Sequence, residues 1–169
     1  MKNRRLINDL AAGASVTLPV LALDRLTKVW AEQSLTGAPD IIPGVIGLRL
    51  ARNTGVAFSM FSGARAITVV FTSAVLLGII VYLFCEKRPS VLGRTGRAGL
   101  WFFVAGGLGN LYDRLAYGYV VDMLEFRFMN FAVFNVADIS VCLGAALAAL
   151  GYILAERARA RTKNSQKGI

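Results

Sequence analysis

Residues 66–85 read AITVVFTSAVLLGIIVYLFC, twenty consecutive residues without a charged side chain. A helix needs about 20 mostly apolar residues to cross the hydrocarbon core of a bilayer. The whole chain is 56% hydrophobic and only 17% charged, whereas soluble domains typically carry about 25% charged residues. This segment therefore predicts a membrane helix, and the composition predicts a fold dominated by such helices.

Three further segments are apolar over a shorter length, and each reaches span length only by including a polar residue at one end. These end residues are Asp24, Asn110 and Asp138. We predict an all-α membrane protein that forms a single integral membrane domain over residues 1–169. Its four transmembrane helices are predicted at about residues 9–30, 66–85, 97–114 and 134–155, with outer loops at 31–65 and 115–133.

The basic residues that give the chain its net charge of +9 are unevenly distributed. Twelve of the nineteen would lie on one side of a four-span chain, and basic residues concentrate in cytoplasmic loops. We therefore predict that both termini and the middle loop are cytoplasmic. The basic tail would contact anionic lipid headgroups, so the charge does not require a nucleic-acid partner. The twelve residues are Lys2, Arg4, Arg5, Lys87, Arg88, Arg94, Arg97, Arg157, Arg159, Arg161, Lys163 and Lys167.

The first outer loop contains a strand pattern. Residues 45–52 partly alternate apolar and polar side chains, and the preceding Pro43-Gly44 pair is typical of a turn. Residues 56–59 could form a returning strand. We expect a small extracytoplasmic β-hairpin or cradle on the outer surface.

Polar residues converge at the outer ends of the predicted helices. In this topology Asp24, Lys28, Asp113, Asn135 and Asp138 all lie near the outer face. Ionisable groups in membrane-spanning segments are costly and usually functional. Their convergence predicts a site at the outer interface.

The residue types present exclude several chemistries. The chain has no histidine, which excludes serine–histidine, cysteine–histidine and His-Glu-x-x-His zinc sites. Cys85 and Cys142 would lie about a membrane thickness apart, too far for a disulfide or a shared thiolate metal site. We predict no cofactor and no metal.

Two catalytic schemes remain. One is a serine activated by lysine, with Lys28 partnered by Ser59 or Ser140. The other is a pair of carboxylates that share a proton and activate a water between them. Its candidates are Asp24, Asp113, Asp122 and Asp138.

Five motifs, in order along the chain, resemble those of bacterial lipoprotein signal peptidases (signal peptidase II). They are residues 24–28 (DRLTK), 52–59 (RNTGVAFS), 109–114 (GNLYDR), 118–122 (GYVVD) and 134–138 (FNVAD). The likeness covers about residues 20 to 155. Where the family often has glutamine after the first aspartate, this chain has Arg25.

The resemblance implies an aspartic endopeptidase of the bacterial cytoplasmic (inner) membrane. Its catalytic residues would be Asp122 and Asp138, near the outer face. Its substrate would be a diacylglyceryl-modified prolipoprotein, cut before the lipidated cysteine, and its partners would be this precursor and membrane lipid. We expect a monomer. The expected substrate-binding or supporting residues are Asp24, Lys28, Asn53, Gly55, Asn110, Asp113, Arg114, Asn135 and Ala137.

The resemblance also implies separate roles for some supporting residues. Asn53 and Arg114 would contact the substrate backbone, whereas Asn110 and Asn135 would orient the two catalytic aspartates.

Structural interpretations stand beside the catalytic ones. Asp24 and Lys28 have the i, i+4 spacing of a helix salt bridge, and Asp113 and Arg114 could be a simple interfacial pair. Asp138 could be an acid favoured by a helix N-terminus.

Asn135 would be the N-cap of the predicted fourth helix if Asp138 is such an N-terminal acid. For the protein as a whole, the alternatives to a peptidase are a small transporter or proton-coupled channel and a noncatalytic lipid-binding protein.

Overall fold

The computed structural model describes residues 2–55, 65–86 and 91–166 and is mostly helical. Helices α1 to α4 and strands β1 to β3 follow the order α1 (Lys2–Ser34), β1 (Asp40–Ile42), β2 (Ile46–Asn53), α2 (Arg65–Cys85), α3 (Gly93–Ala116), β3 (Val120–Phe126) and α4 (Val136–Gln166). The three strands form one small antiparallel sheet in the order β1-β2-β3.

Three helices in the described part of the chain are long and apolar enough to cross a membrane. The qualifying stretches are Asp9–Ser34, Arg65–Cys85 and Val136–Lys163. Helix α3 carries charged residues near both ends and is not among them. A fourth span at α3 therefore stays a prediction.

Helix α3 lies at the centre of the bundle and packs against the other three helices, most extensively against α4. Glycines make this close packing feasible. A Cβ atom on Gly106 would collide with the carbonyl oxygen of Ala137, and one on Gly109 would lie 2.6 Å from Asp24 Oδ2. The α3 backbone thus passes directly against the start of α4 and against Asp24 of α1.

The sheet joins the two predicted outer loops. The Pro43-Gly44 turn is confirmed, since Val45 N–H donates to the carbonyl oxygen of Ile42 at 2.9 Å and Gly44 has a φ of 71°. The expected returning strand at 56–59 lies outside the described residues. Strand β2 pairs instead with β1 and with β3, and β3 lies where the sequence predicted only a loop.

Arg127 fastens the three strands together, a role that the sequence did not indicate. Its Nε donates to Asp40 Oδ1 at 2.7 Å, and its Nη1 to Glu125 Oε2 at 2.7 Å. Its Nη2 donates to the carbonyl oxygen of Ala38 at 2.6 Å. The guanidinium occupies the space that a side chain on Gly47 would fill. This contact ties the end of β3 to β1 and β2.

At the end of the bundle away from the sheet, which we call the far end, Arg97 is buried. It forms ion pairs with Glu86 at 3.0 Å and with Asp9 at 3.4 Å, and donates to the carbonyl oxygen of Leu83 at 2.9 Å. It joins α1, the end of α2 and α3. Both cysteines are free and exposed.

Candidate active site

At the opposite end of the bundle, which we call the site end, helix α4 begins with a reciprocal cap. Asp138 N–H donates to Asn135 Oδ1 at 2.9 Å, and Asn135 N–H donates to Asp138 Oδ2 at 3.1 Å. Together these bonds satisfy two amides at the start of a helix. The predicted N-cap role of Asn135 is confirmed. Asp138 therefore sits in the first turn of α4, where the helix dipole stabilises a negative charge.

The side chain of Asn135 extends from this cap to the second aspartate. Its Nδ2 donates to Asp122 Oδ1 at 2.6 Å and lies 3.1 Å from Asn110 Oδ1. Asn110 Nδ2 in turn donates to Asp138 Oδ1 at 2.8 Å. Two asparagines thus connect the carboxyl groups of Asp122 and Asp138.

Asp122 lies on β3 and is almost fully buried, with 2% of its surface exposed. Asp122 is therefore a buried acid on a strand, although the sequence predicted only an outer loop at 115–133. Burial, together with the nearby Asp138 carboxylate, raises the pKa of the Asp122 carboxyl to about 7, against the opposing effect of hydrogen bonds from two asparagines. A carboxyl with this pKa holds a proton at neutral pH in about half of the molecules.

The Asn-Thr-Gly motif forms a tight turn at the end of β2. Asn53 Oδ1 accepts a hydrogen bond from Gly55 N–H at 2.9 Å, the pattern of an Asx turn. The amide nitrogen of the same side chain donates to Asp122 Oδ2 at 3.1 Å. The turn therefore fixes the side chain that contacts the second oxygen of Asp122.

Arg114 holds this turn from α3. Its Nη2 donates to the carbonyl oxygen of Gly55 at 2.7 Å, and its Nη1 donates to that of Asn110 at 3.3 Å. The suggested interfacial pair of Asp113 with Arg114 is not what the structure contains, because Asp113 forms its ion pairs with Arg25 and Lys28.

Lys28 lies near Asp122 and Asp138 and is completely buried. Its ammonium contacts Asp24 Oδ2 at 2.9 Å, Asp113 Oδ2 at 2.9 Å and Asn110 Oδ1 at 3.0 Å. An ammonium has three donors, and all three are used. The predicted i, i+4 pair of Asp24 and Lys28 is therefore confirmed, as one part of a larger network.

Asp24 and Asp113 connect this network to β3, which carries Asp122, and to α4, which carries Asp138. Asp24 Oδ1 accepts from Ala137 N–H, in the first turn of α4, at 3.0 Å. Asp113 Oδ2 accepts from Val121 N–H at 3.4 Å. The Lys28 network is thus connected to the backbone N–H of the residue that precedes each of Asp138 and Asp122.

The serine–lysine alternative receives no support from Ser140. The Ser140 hydroxyl donates to the carbonyl oxygen of Phe102 at 2.8 Å, and the ammonium of Lys28 already has three other partners. Ser59 lies outside the described residues.

A cavity of about 410 Å³ opens beside Asp122. Strand β2 lines one side of it with Arg49, Ala51, Arg52 and Asn53, and residues 130–133 line the other. In the three described parts of the chain, the acidic and cysteine side chains form no group of three arranged to hold a metal ion.

All the site residues proposed from the sequence therefore lie in one hydrogen-bonded network at the site end. Sequence reasoning missed the bond from Val121 N–H to Asp113 and noted Arg25 only as a difference from the family. The position of Arg25 inside the DRLTK motif was the available signal.

Comparison with solved structures identifies the class of fold. Two structures described as bacterial membrane enzymes align with TM-scores of 0.77 and 0.73, at 22% and 23% sequence identity. The alignments cover 85% and 83% of this chain and 88% and 91% of those chains. The chain therefore has the fold of these membrane enzymes.

The sequence comparisons identify the family. The profile of the Signal peptidase (SPase) II family matches residues 16–154. A lipoprotein signal peptidase of Gloeobacter violaceus is 39% identical over 138 residues, covering 80% of this chain and 78% of the relative. One of Clostridium novyi is 38% identical over 135 residues, covering 77% and 89%. The chain belongs to the signal peptidase II family and is a peptidase, as the motifs predicted.

Proposed function

We propose that this protein removes the signal peptide from diacylglyceryl-modified prolipoproteins, cutting before the lipidated cysteine with a water activated between Asp122 and Asp138. The connection of the two carboxyls through Asn135 and Asn110 is the observation that carries the proposal. The names of the relatives and the sequence motifs support the assignment of a prolipoprotein as the substrate. Family membership disfavours the transporter and the noncatalytic lipid-binding protein.

The environments of the two aspartates support different starting states. Asp138 lies at a helix N-terminus and accepts hydrogen bonds from an amide side chain and a backbone N–H, which favours the ionised base. Asp122 is buried and has a pKa of about 7, which favours the protonated acid. Two neighbouring carboxyls that share one proton are suited to activate a water.

The reaction then follows from these states. Asp138 takes a proton from the water, whose oxygen attacks the scissile carbonyl carbon while Asp122 gives its proton to the carbonyl oxygen. When the tetrahedral intermediate collapses, the carbon–nitrogen bond breaks and Asp138 gives its proton to the departing amine. The hydroxyl proton returns to Asp122, which restores the starting state.

The proposed membrane placement has four spans, with α3 as the third, and both termini in the cytoplasm of a bacterial inner membrane. Strands from both predicted outer loops pair in one sheet, which supports placing these loops on the same side. The site would then face outward. Because a single chain supplies the whole network, we propose that a monomer is active.

The test compares a lipidated precursor with the same precursor lacking the diacylglyceryl group, in nanodiscs. Each buried methylene contributes about 0.8 kcal/mol to membrane partition, so the acyl chains should hold the scissile bond at the site. We expect kcat/KM to fall by orders of magnitude without the lipid, and mass spectrometry to place the lipidated cysteine at the new N-terminus. Equal rates, or a cut elsewhere, would refute the proposal. A precursor with the cysteine replaced by serine is the matched control for lipidation.

A further inference from the structure

Arg25 is held in a fixed position at the edge of the site. Its Nη2 donates to Tyr117 Oη at 2.9 Å, and its Nη1 contacts Asp113 Oδ1 at 3.3 Å. The guanidinium lies over the rings of Tyr112 and Tyr117, 5.6 and 5.1 Å from their centroids. Such cation–π contacts favour a charged guanidinium at this place.

Through Asp113, Arg25 is connected to the strand that carries Asp122. The side chain of Asp113 is 1% exposed and contacts Arg25, Lys28 and the N–H of Val121. One carboxyl group and one peptide unit thus separate Arg25 from Asp122.

Among the side chains joined by direct ion pairs, Arg25 completes the charge balance of this cluster. Asp24 and Asp113 supply two carboxylates, and Lys28 supplies one buried cation. Arg25 supplies the second cation. Without it, the buried cluster behind Asp122 would carry an excess negative charge, which is costly in a poorly solvated environment.

We propose that Arg25 is a positioning residue that neutralises the Asp24–Lys28–Asp113 cluster and thereby sets the pH range in which the catalytic pair holds one proton. The inference rests on the proposed dyad mechanism. An uncompensated carboxylate near Asp122 favours the protonated form of that side chain. The polar groups that face Asp122 are Asn53 of β2, Lys28 of α1, Arg114 of α3, and Asn135 and Asp138 at the start of α4.

The first test is the pH profile of kcat/KM for Arg25→Gln, with the lipidated precursor in nanodiscs. We expect its alkaline limb to move upward by about half a pH unit, because solvent partly screens the charge of the half-buried Arg25 guanidinium. Arg25→Lys, which keeps the charge, should restore the limb. Arg94→Gln, which removes an exposed positive charge at the far end of the bundle, is the control and should leave the limb unchanged.

A second test varies the charge within one folded preparation. Arg25→Cys, in a background where the exposed Cys85 and Cys142 are alanine, is labelled with either an aminoethyl or an ethyl methanethiosulfonate. The cationic adduct should have the alkaline limb of the native protein, and the neutral adduct the raised one. Identical limbs for the two adducts would overturn the proposal. If Asp122→Asn or Asp138→Asn is also active, the dyad itself is wrong, whereas inactive dyad variants would confine the failure to Arg25.

Discussion

The two ends of the helix bundle both bury charge, but they use it differently. At the far end, Arg97 pairs with Asp9 and Glu86 and ties three helices together. At the site end, Lys28 is saturated by Asp24, Asp113 and Asn110. The carboxyl groups of Asp122 and Asp138 lie near that lysine, and their hydrogen bonds come from amide groups.

The comparison distinguishes carboxylates held in ion pairs, which stabilise the fold, from the carboxyl groups proposed to react. A carboxylate in a direct ion pair is held ionised, because its partner favours the charged form. Amide donors, as around Asp122 and Asp138, orient a carboxyl without supplying a full opposite charge. The site end thus contains one ion cluster that acts as a scaffold, and in the proposed mechanism the second pair of acids exchanges a proton.

The largest expected effect is the loss of activity on changing either acid of the pair. Asp122→Asn and Asp138→Asn should each lower kcat by about 10³-fold or more, since neither carboxyl can replace the other in proton transfer. The measurement is the gel shift of purified lipidated precursor, with circular dichroism showing that both variants remain folded. Substantial turnover by either variant would remove the distinction between the two ends.

The next effect separates stability from activity. Arg97→Met removes the cation that pairs with Asp9 and Glu86, and Lys28→Met removes the one that pairs with Asp24 and Asp113. Breaking these buried ion pairs should cost about 3–5 kcal/mol of stability in each variant. Only Lys28→Met should also lower kcat/KM per folded molecule, because its network connects to the peptides beside both aspartates. Thermal unfolding in detergent and rates normalised to folded protein measure the two quantities.

Arg94→Met is the matched control for these substitutions, since Arg94 is an exposed basic residue on the same helix as Arg97. It should change stability by less than about 0.5 kcal/mol. A loss of kcat/KM in folded Arg97→Met would show that the far end is coupled to the chemistry.

The smallest effect is on pH dependence. The pKa of Asp122 is about 7 in the folded protein against an ordinary value of 3.8. Its protonated form is therefore favoured by folding, and the stability it contributes is full below about pH 4 and is lost as the pH rises through about 7. Asp122→Asn should flatten the pH dependence of Tm in that window, and Glu156→Gln, at an exposed site on α4, should not.

The same titration limits the native enzyme. Its kcat/KM should fall about tenfold per pH unit once Asp122 is deprotonated, well above pH 7. An activity that stays constant from pH 6 to 9 would contradict the acid role of Asp122.

Features that depend on neighbours in sequence could be predicted from the chain alone. The Asn135 cap, the Asp24–Lys28 pair and the Pro43-Gly44 turn each form within a few residues. Strand β3 could not be recognised in this way, because its partner β2 lies far away in the chain and its polar residues interrupt the apolar pattern. Arg127 has the same explanation, since two of its three acceptors, Asp40 and the carbonyl oxygen of Ala38, lie 87 and 89 residues earlier in the chain.

By itself, the sequence determined the apolar helices, the local caps and turns, and the set of polar residues gathered near one end of the helices, because these follow from composition, spacing and motif. Only the tertiary structure decided which polar groups pair. Asp113 binds Lys28 and Arg25 but not its neighbour Arg114, and Arg97 turns inward to Glu86. The physical reason is that a buried charge must take its partner from whatever the packing brings within hydrogen-bond distance.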